Sequence, residues 1–149
     1  MSVTSSDMRK NTKRDTKMSK PLMQPDHLPK KILLIEDDAD IRLSVQELLE
    51  SENYIVECAP HGQIGLECLR SSPRPPNLIL LDLRMPVMGG KEFVEALEIE
   101  FPKLAHSTPI VLFTASGSLL YENEVKATAE IKKPLDIDEL LETIAKLVA

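Results

Sequence analysis

The chain has 149 residues, of which 42% are hydrophobic and 28% charged, which is typical of one globular domain with some additional length. Its net charge of −6 combines +3 on residues 1–29 with −9 on the remaining 120 residues. Such an acidic domain is poorly suited to nucleic acid, and no apolar run approaches the roughly 20 residues of a membrane span. We expect a cytoplasmic protein that binds neither nucleic acid nor membrane directly.

Residues 1–29 form a segment of distinct composition. They show no helical or strand periodicity, and Ser, Thr, Lys and Pro dominate. We interpret them as a disordered basic tail before a domain at residues 30–149. A solvated leader is the favoured interpretation, and a docking arm for an acidic partner is the alternative.

From Lys30 onward, short apolar runs alternate with segments of helical periodicity. The strand-like runs are residues 31–36, 54–58, 78–82, 110–114 and, with a poorer pattern, 129–132. Helical stripes occur over residues 41–49, 62–70, 93–101 and 137–148, and a weak, short fourth helix is predicted at 117–126. Asp38 or Asp40 is the candidate N-cap of the first helix, and Asp136 that of the last.

Five strand–helix alternations, with crossovers long enough for one helix each, predict an α/β fold with a doubly wound, five-stranded parallel sheet. Strand order 2-1-3-4-5, as in flavodoxin-like folds, would place the first and third strands side by side. Glu36 and Asp37 follow the first strand, and Asp82 ends the third. We expect these carboxylates to converge at the topological switch point, where a divalent cation would relieve their repulsion.

A hydroxyl and an ammonium group complete the predicted site. Thr114 ends the fourth strand and Lys133 follows the fifth, so both reach the same edge of the sheet. They are suited to bind the oxygens of a transferred phosphoryl group, with Asp82 as nucleophile and Glu36 and Asp37 holding Mg²⁺. The residues therefore predict metal-dependent phosphoryl chemistry at Asp82.

Four sequence motifs resemble the response-regulator receiver domain of two-component signalling, a CheY-like superfamily. They are residues 32–38 (ILLIEDD), 78–90 (LILLDLRMPVMGG), 114–115 (TA) and 133–134 (KP). The similarity covers essentially all of residues 30–149. The resemblance implies a signalling domain rather than an enzyme acting on an external substrate.

The resemblance also assigns roles to individual residues. Asp82 would accept a phosphoryl group from a phosphohistidine of a sensor kinase or phosphotransfer protein. Mg²⁺, with Mn²⁺ as an alternative, would be required for transfer and for hydrolysis. The backbone carbonyl of Arg84 would be a further metal ligand, and the Lys133–Pro134 bond would be cis.

The chain departs from the receiver pattern in its expected readout. Glu130 stands three positions before Lys133, where the family usually has Tyr or Phe, and the Thr114–Lys133 interval is about one helical turn short. We therefore expect the phosphorylation chemistry to be retained and its readout altered. Tyr121 is a candidate substitute aromatic, although an ordinary half-exposed position is favoured. Arg84 and Ser116 occupy positions that influence phosphoryl lifetime in receivers.

The last predicted helix ends at the C-terminus, so we expect a stand-alone receiver that signals through a partner protein or by onward phosphotransfer. The main alternative is a receiver-fold interaction module that phosphorylation no longer regulates. An aspartyl phosphatase is disfavoured because Arg84 stands where such enzymes carry a second acid. Flavin binding is disfavoured because Glu36, Asp37 and Asp38 would repel its phosphate.

Overall fold

The computed structural model describes residues 28–115 and 125–149. In chain order these residues form β1 (Lys31–Ile35), α1 (Ala39–Ser51), β2 (Ile55–Ala59), α2 (Gly62–Ser71), β3 (Leu78–Asp82), α3 (Gly90–Glu100), α4 (Pro102–Ser107), β4 (Ile110–Thr114), β5 (Ala129–Lys132) and α5 (Ile137–Val148). The strands pair in parallel as one five-stranded sheet of order β2-β1-β3-β4-β5, which confirms the predicted fold. Within the described ranges, none of the helices has the length and apolar character needed to cross a membrane.

The sheet has a hydrophobic core on each face. Leu33, Ile35 and Leu81 point to one face and pack with residues of α2 and α3 such as Leu66 and Phe93. The alternate strand residues point to the other face and pack with α1 and α5, in a cluster of Ile32, Leu34, Phe113, Val45, Leu49, Leu140 and Ile144. Because β1, β3 and β4 are covered on both sides, their sequences are continuous apolar runs rather than alternating ones.

Acidic N-caps begin the two helices on the second face. The Asp38 side chain accepts hydrogen bonds from the backbone N–H groups of Asp40 (2.9 Å) and Ile41 (3.0 Å). Asp136 accepts one from the N–H of Glu139 at 3.1 Å, which opens α5 as predicted. Asp38 rather than Asp40 is therefore the cap of α1, and its position fixes the turn that follows Glu36.

The helical stripe predicted over residues 93–101 corresponds to α3, and a second helix, α4, follows α3 directly in the chain. Pro102 disfavours helical geometry at the residue before it, and Phe101 has φ −130° and ψ 62°. Pro102 then occupies the first turn of α4, where its missing N–H is no disadvantage. The sequence analysis predicted α3 and missed α4, which Pro102 separates from it.

Several expectations concern positions outside the described residues. They are the tail at residues 1–27, Ser116, Tyr121 and all but the last two residues of the predicted fourth helix. Those two residues, Val125 and Lys126, are not helical, and Val125 is buried against the first core.

The loop between β3 and α3 bends sharply at Val87. The backbone N–H of Met88 donates to the carbonyl of Pro86 at 2.7 Å, so three residues close a γ-turn whose central residue, Val87, has φ 68°. After the loop, the N–H of Gly90 donates to the carbonyl of Leu83 at 2.9 Å. The start of α3 is thus held directly against the end of β3.

Candidate functional site

Three carboxylates meet at the carboxyl edge of the sheet. Ile35 of β1 pairs with Leu81 of β3, so the residues that follow them, Glu36 and Asp82, come side by side. One oxygen from each of Glu36, Asp37 and Asp82 lies within 4.8 Å of the others. The structure therefore brings together the acidic residues that the sequence singled out.

The two innermost carboxylates differ from Asp37 in burial. Glu36 is fully buried and Asp82 is 5% exposed, whereas Asp37 faces solvent. Burial raises the pKa of Asp82 to about 7; the charge of Glu36 adds to the rise, and Lys133 opposes it. Without a cation, Asp82 is consequently a carboxyl group that titrates near neutral pH.

Backbone groups hold Glu36 in place. Its Oε2 accepts a hydrogen bond from the N–H of Asp38 at 3.0 Å, and its own N–H donates to the carbonyl of Ala59 at 3.0 Å. The guanidinium of Arg42 donates to the Glu36 carbonyl at 2.8 Å. Its Oε1 is buried and is paired with the Lys133 ammonium at 2.9 Å. That oxygen therefore faces the cluster, where a cation would share it with Lys133.

Lys133 is the cationic member of the cluster. Its Nζ lies 2.9 Å from Glu36 Oε1 and 3.6 Å from Asp82 Oδ2, and 4.9 Å from the centre of the Phe113 ring. Burial by itself lowers the pKa of the ammonium group, but the carboxylates of Glu36 and Asp82 outweigh burial, and the pKa is raised. Lys133 is therefore held in the charged form beside Asp82. The Lys133–Pro134 peptide is cis, as the resemblance implied.

Thr114 lies fully buried at the end of β4. Its carbonyl accepts the N–H of Lys133 at 2.6 Å, which joins the ends of β4 and β5. Its hydroxyl donates to Glu130 Oε2 at 3.4 Å, and Lys132 Nζ lies 3.1 Å from the same oxygen. Sequence reasoning treated Glu130 only as a missing aromatic residue and did not single out Lys132. Alternation along β5 was the available signal, since Ile131 points into the second core and its two neighbours point the other way.

A cleft of about 220 Å³ unites these groups. Its lining includes every residue that the sequence assigned to the site, namely Glu36, Asp37, Asp82, Arg84, Thr114 and Lys133. The Arg84 residue is exposed at the rim. Coordination of a metal by its backbone carbonyl stays a prediction.

The donor set fits a hard divalent cation. All three converging ligand atoms are carboxylate oxygens, which Mg²⁺ and Mn²⁺ prefer over nitrogen or sulfur. The buried carboxylates of Glu36 and Asp82 place negative charge in the cleft, which Lys133 balances in part. Glu36, Asp37 and Asp82 would hold the cation, and Asp37 would be its solvent-facing ligand.

Known proteins are similar to this chain in sequence and in architecture. The response regulator receiver domain model matches residues 32–145. The transcriptional regulatory protein CrdR of Helicobacter pylori is 37% identical over 116 residues, which cover 76% of this chain and 52% of that protein. Sporulation initiation phosphotransferase F of Bacillus subtilis is 29% identical over 119 residues, covering 78% of this chain and 91% of that protein.

The chain spans about half the length of CrdR and of several other curated relatives. Among solved structures, the chemotaxis response regulator CheY4 of Vibrio cholerae superposes with a TM-score of 0.70 at 31% identity, covering 80% of this chain and 98% of that one. The residues matched by the family model, 32–145, include all the strand ends that build the acidic cleft. This chain belongs to the response regulator receiver domain family of two-component signalling.

Proposed function

We propose that Asp82 accepts a phosphoryl group from a phosphohistidine of a sensor kinase or phosphotransfer protein, and that Mg²⁺ is required. The observation that carries the proposal is the convergence of the Glu36, Asp37 and Asp82 oxygens within 4.8 Å beside the Lys133 ammonium. The signal would then pass to a partner protein or by onward phosphotransfer. This activity is assigned to a cytoplasmic receiver domain at residues 30–149, without direct binding to nucleic acid.

The side chains divide the work of transfer among them. A carboxylate oxygen of Asp82 attacks phosphorus; the new O–P bond forms as the N–P bond breaks, and the bonding pair stays on the imidazole nitrogen of the donor. Lys133, now paired with Asp82, contacts a phosphoryl oxygen, and the Thr114 hydroxyl donates to another. Bound Mg²⁺ supplies charge neutralisation, with the Arg84 carbonyl as a further proposed ligand.

The test is uptake of one phosphoryl group from acetyl phosphate, measured by intact mass and by phosphate-affinity gel. We expect a Mg²⁺-dependent adduct in the wild type that is absent in Asp82→Asn. Asp138→Asn, an exposed change in the first turn of α5, is the matched control and should leave uptake unchanged.

Two results would contradict the proposal. An absence of adduct with acetyl phosphate, with beryllofluoride and with a phosphorylated histidine donor would favour a receiver-fold interaction module that phosphorylation does not regulate. Turnover of an external phosphate ester would favour a phosphatase.

A further inference from the structure

A short polar chain leads from the phosphoryl-accepting cleft to the outer edge of the sheet. Thr114 lines the cleft with Asp82 and Lys133. Its hydroxyl donates to Glu130 Oε2 at 3.4 Å, and Lys132 Nζ lies 3.1 Å from that oxygen. Thr114 is fully buried, whereas the side chains of Glu130 and Lys132 are 31% and 52% exposed. The chain of contacts thus joins a buried group at the site to a carboxylate at the surface.

We propose that Glu130 is a positioning residue that acts on phosphoryl transfer through Thr114. In the unphosphorylated protein Glu130 accepts a hydrogen bond from the Thr114 hydroxyl, and this hydrogen bond breaks when Asp82 is phosphorylated. The inference rests on the proposed function and adds to it how this chain senses the phosphoryl group. In this chain the Glu130 carboxylate would respond to phosphorylation by losing its hydrogen bond from Thr114, whereas an aromatic residue at this position would respond by rotating.

The competition follows from the chemistry of a hydroxyl group. A threonine side chain has one O–H donor, so it serves either Glu130 or a phosphoryl oxygen as its main acceptor. The bond to Glu130 is long at 3.4 Å, compared with about 2.7 Å for a strong O–H···O bond, and is therefore readily exchanged. A phosphoryl oxygen with high negative charge is the stronger acceptor at close range.

Charge repulsion acts in the same direction. Once the Thr114 hydroxyl donates to the phosphoryl group, the Glu130 carboxylate no longer accepts a hydrogen bond from Thr114. It is then repelled by the negative charge of the phosphoryl group on the other side of the Thr114 side chain. Lys132 offers Glu130 a partner on the solvent side, because its ammonium already contacts the same oxygen. Phosphorylation should therefore release Glu130 outward along β5, and Glu130 should in turn oppose phosphorylation.

The opposing effect can be measured with an uncharged isostere. Glu130→Gln removes the negative charge and keeps the size of the side chain. We expect its rate of uptake from acetyl phosphate in Mg²⁺, and its affinity for beryllofluoride, to rise about fivefold, as for a partly exposed charge interaction. Glu142→Gln, an exposed change on α5, is the matched control and should behave as wild type.

A double-mutant cycle tests whether Glu130 acts through Thr114. In a Thr114→Ser background the hydroxyl is kept, and the gain from Glu130→Gln should remain. In a Thr114→Ala background uptake should be slower because the hydroxyl is lost, and it should remain measurable because Asp82 and Lys133 are retained. The gain from Glu130→Gln should disappear in this background. A general electrostatic or structural effect of Glu130 would leave the gain the same in both backgrounds.

The outcomes separate this inference from the proposed function. A wild-type adduct together with equal rates in wild type and Glu130→Gln overturns the inference alone. A gain that persists in Thr114→Ala also overturns it, because Thr114 is then not the intermediary. A wild type that forms no adduct under any condition overturns the proposed function and, with it, the inference. A gain from Glu130→Gln that occurs with Thr or Ser at position 114, and not with Ala, supports the inference.

Discussion

Asp82 makes the metal-free protein sensitive to pH. Its pKa of about 7 in the folded protein lies above the ordinary value of 3.8, so between these pH values the folded state binds more protons than the unfolded chain. Stability therefore falls as pH rises through this window. The full shift would correspond to about 4 kcal/mol, and we expect roughly 2 kcal/mol because water reaches the cleft and Lys133 offsets part of the charge.

We predict that Asp82→Asn is more stable than wild type at pH 8 in the presence of a chelator, and that the difference shrinks at pH 5. The amide carries no charge, so the variant avoids the cost of burying a charge at position 82 and the repulsion from Glu36, both of which grow with pH in the wild type. Urea unfolding followed by far-UV circular dichroism measures the effect. Equal stabilities at pH 8 would contradict the prediction, and exposed Asp138→Asn should show no such pH dependence.

Val87 occupies a backbone conformation that suits it poorly. A β-branched residue at φ 68° is strained, and the side chain is 80% exposed, so little packing offsets that strain. We predict that Val87→Asn stabilises the protein by about 1 kcal/mol, since Asn tolerates positive φ without the backbone entropy of glycine. The urea midpoint measures this gain. A loss of stability in Val87→Asn would mean that the loop relies on contacts of the Val87 side chain.

At the level of elements, the start of α3 is packed directly on the end of the strand that carries Asp82. A Cβ atom on Gly90 would lie 2.9 Å from the Asp82 carbonyl oxygen and 3.0 Å from Leu83 Cα, both backbone atoms that cannot rotate away. The neighbouring Gly89 is different, because its closest contact would be the flexible end of the Glu92 side chain at 3.0 Å. The two glycines therefore form a matched pair.

We predict that Gly90→Ala destabilises the fold by about 2 kcal/mol and slows uptake of the phosphoryl group, because α3 or the end of β3 must shift. Gly89→Ala should have a smaller effect on both. Unfolding curves and acetyl phosphate uptake, compared at the same pH and Mg²⁺ concentration, check the prediction. Equal effects of the two substitutions would contradict it.

The elements that the sequence predicted well are those with a strong local signal. β1, β3 and β4 are continuous apolar runs, and Asp136 stands at capping distance from Glu139. Since parallel strands end at one edge, the meeting of Glu36 and Asp82 followed from strand order alone. These features depend on patterns a few residues long and on topology.

Other features depended on tertiary geometry that no local pattern reports. α4 was missed because its six residues are too few to show a buried helical stripe of their own. The Thr114–Glu130 contact requires the register of β4 with β5, and the γ-turn at Val87 belongs to a loop that returns to the end of β3 at Leu83. In each case the deciding interaction joins groups whose relation the sequence leaves open.

For the whole molecule, charge is the dominant property. The 120 residues from Lys30 onward carry −9, and the acid cluster concentrates part of this charge in one cleft. Binding of a cation to the folded state alone stabilises it by mass action, by about 1.4 kcal/mol at ten times the dissociation constant. We predict that millimolar Mg²⁺ raises the melting temperature of the wild type more than NaCl of equal ionic strength does.

The control for this prediction lies within the cluster. In Asp37→Asn and in Asp82→Asn the specific effect of Mg²⁺ should be reduced or lost, while the general effect of NaCl on surface repulsion should persist. Thermal unfolding by circular dichroism measures both. The same Mg²⁺ response in the variants as in the wild type would show that the ion acts on the acidic surface at large.

The position of the Lys133 ammonium has a consequence for how a cation would bind in the cleft. Lys133 follows β5, while its partners follow β1 and end β3, so one side chain ties three strand ends together before any metal arrives. A divalent ion that enters must take over oxygens from an internal counter-ion. The free energy of cation binding is therefore the difference between pairing these carboxylates with the cation and pairing them with Lys133. The assembly of the cleft therefore does not depend on a bound metal.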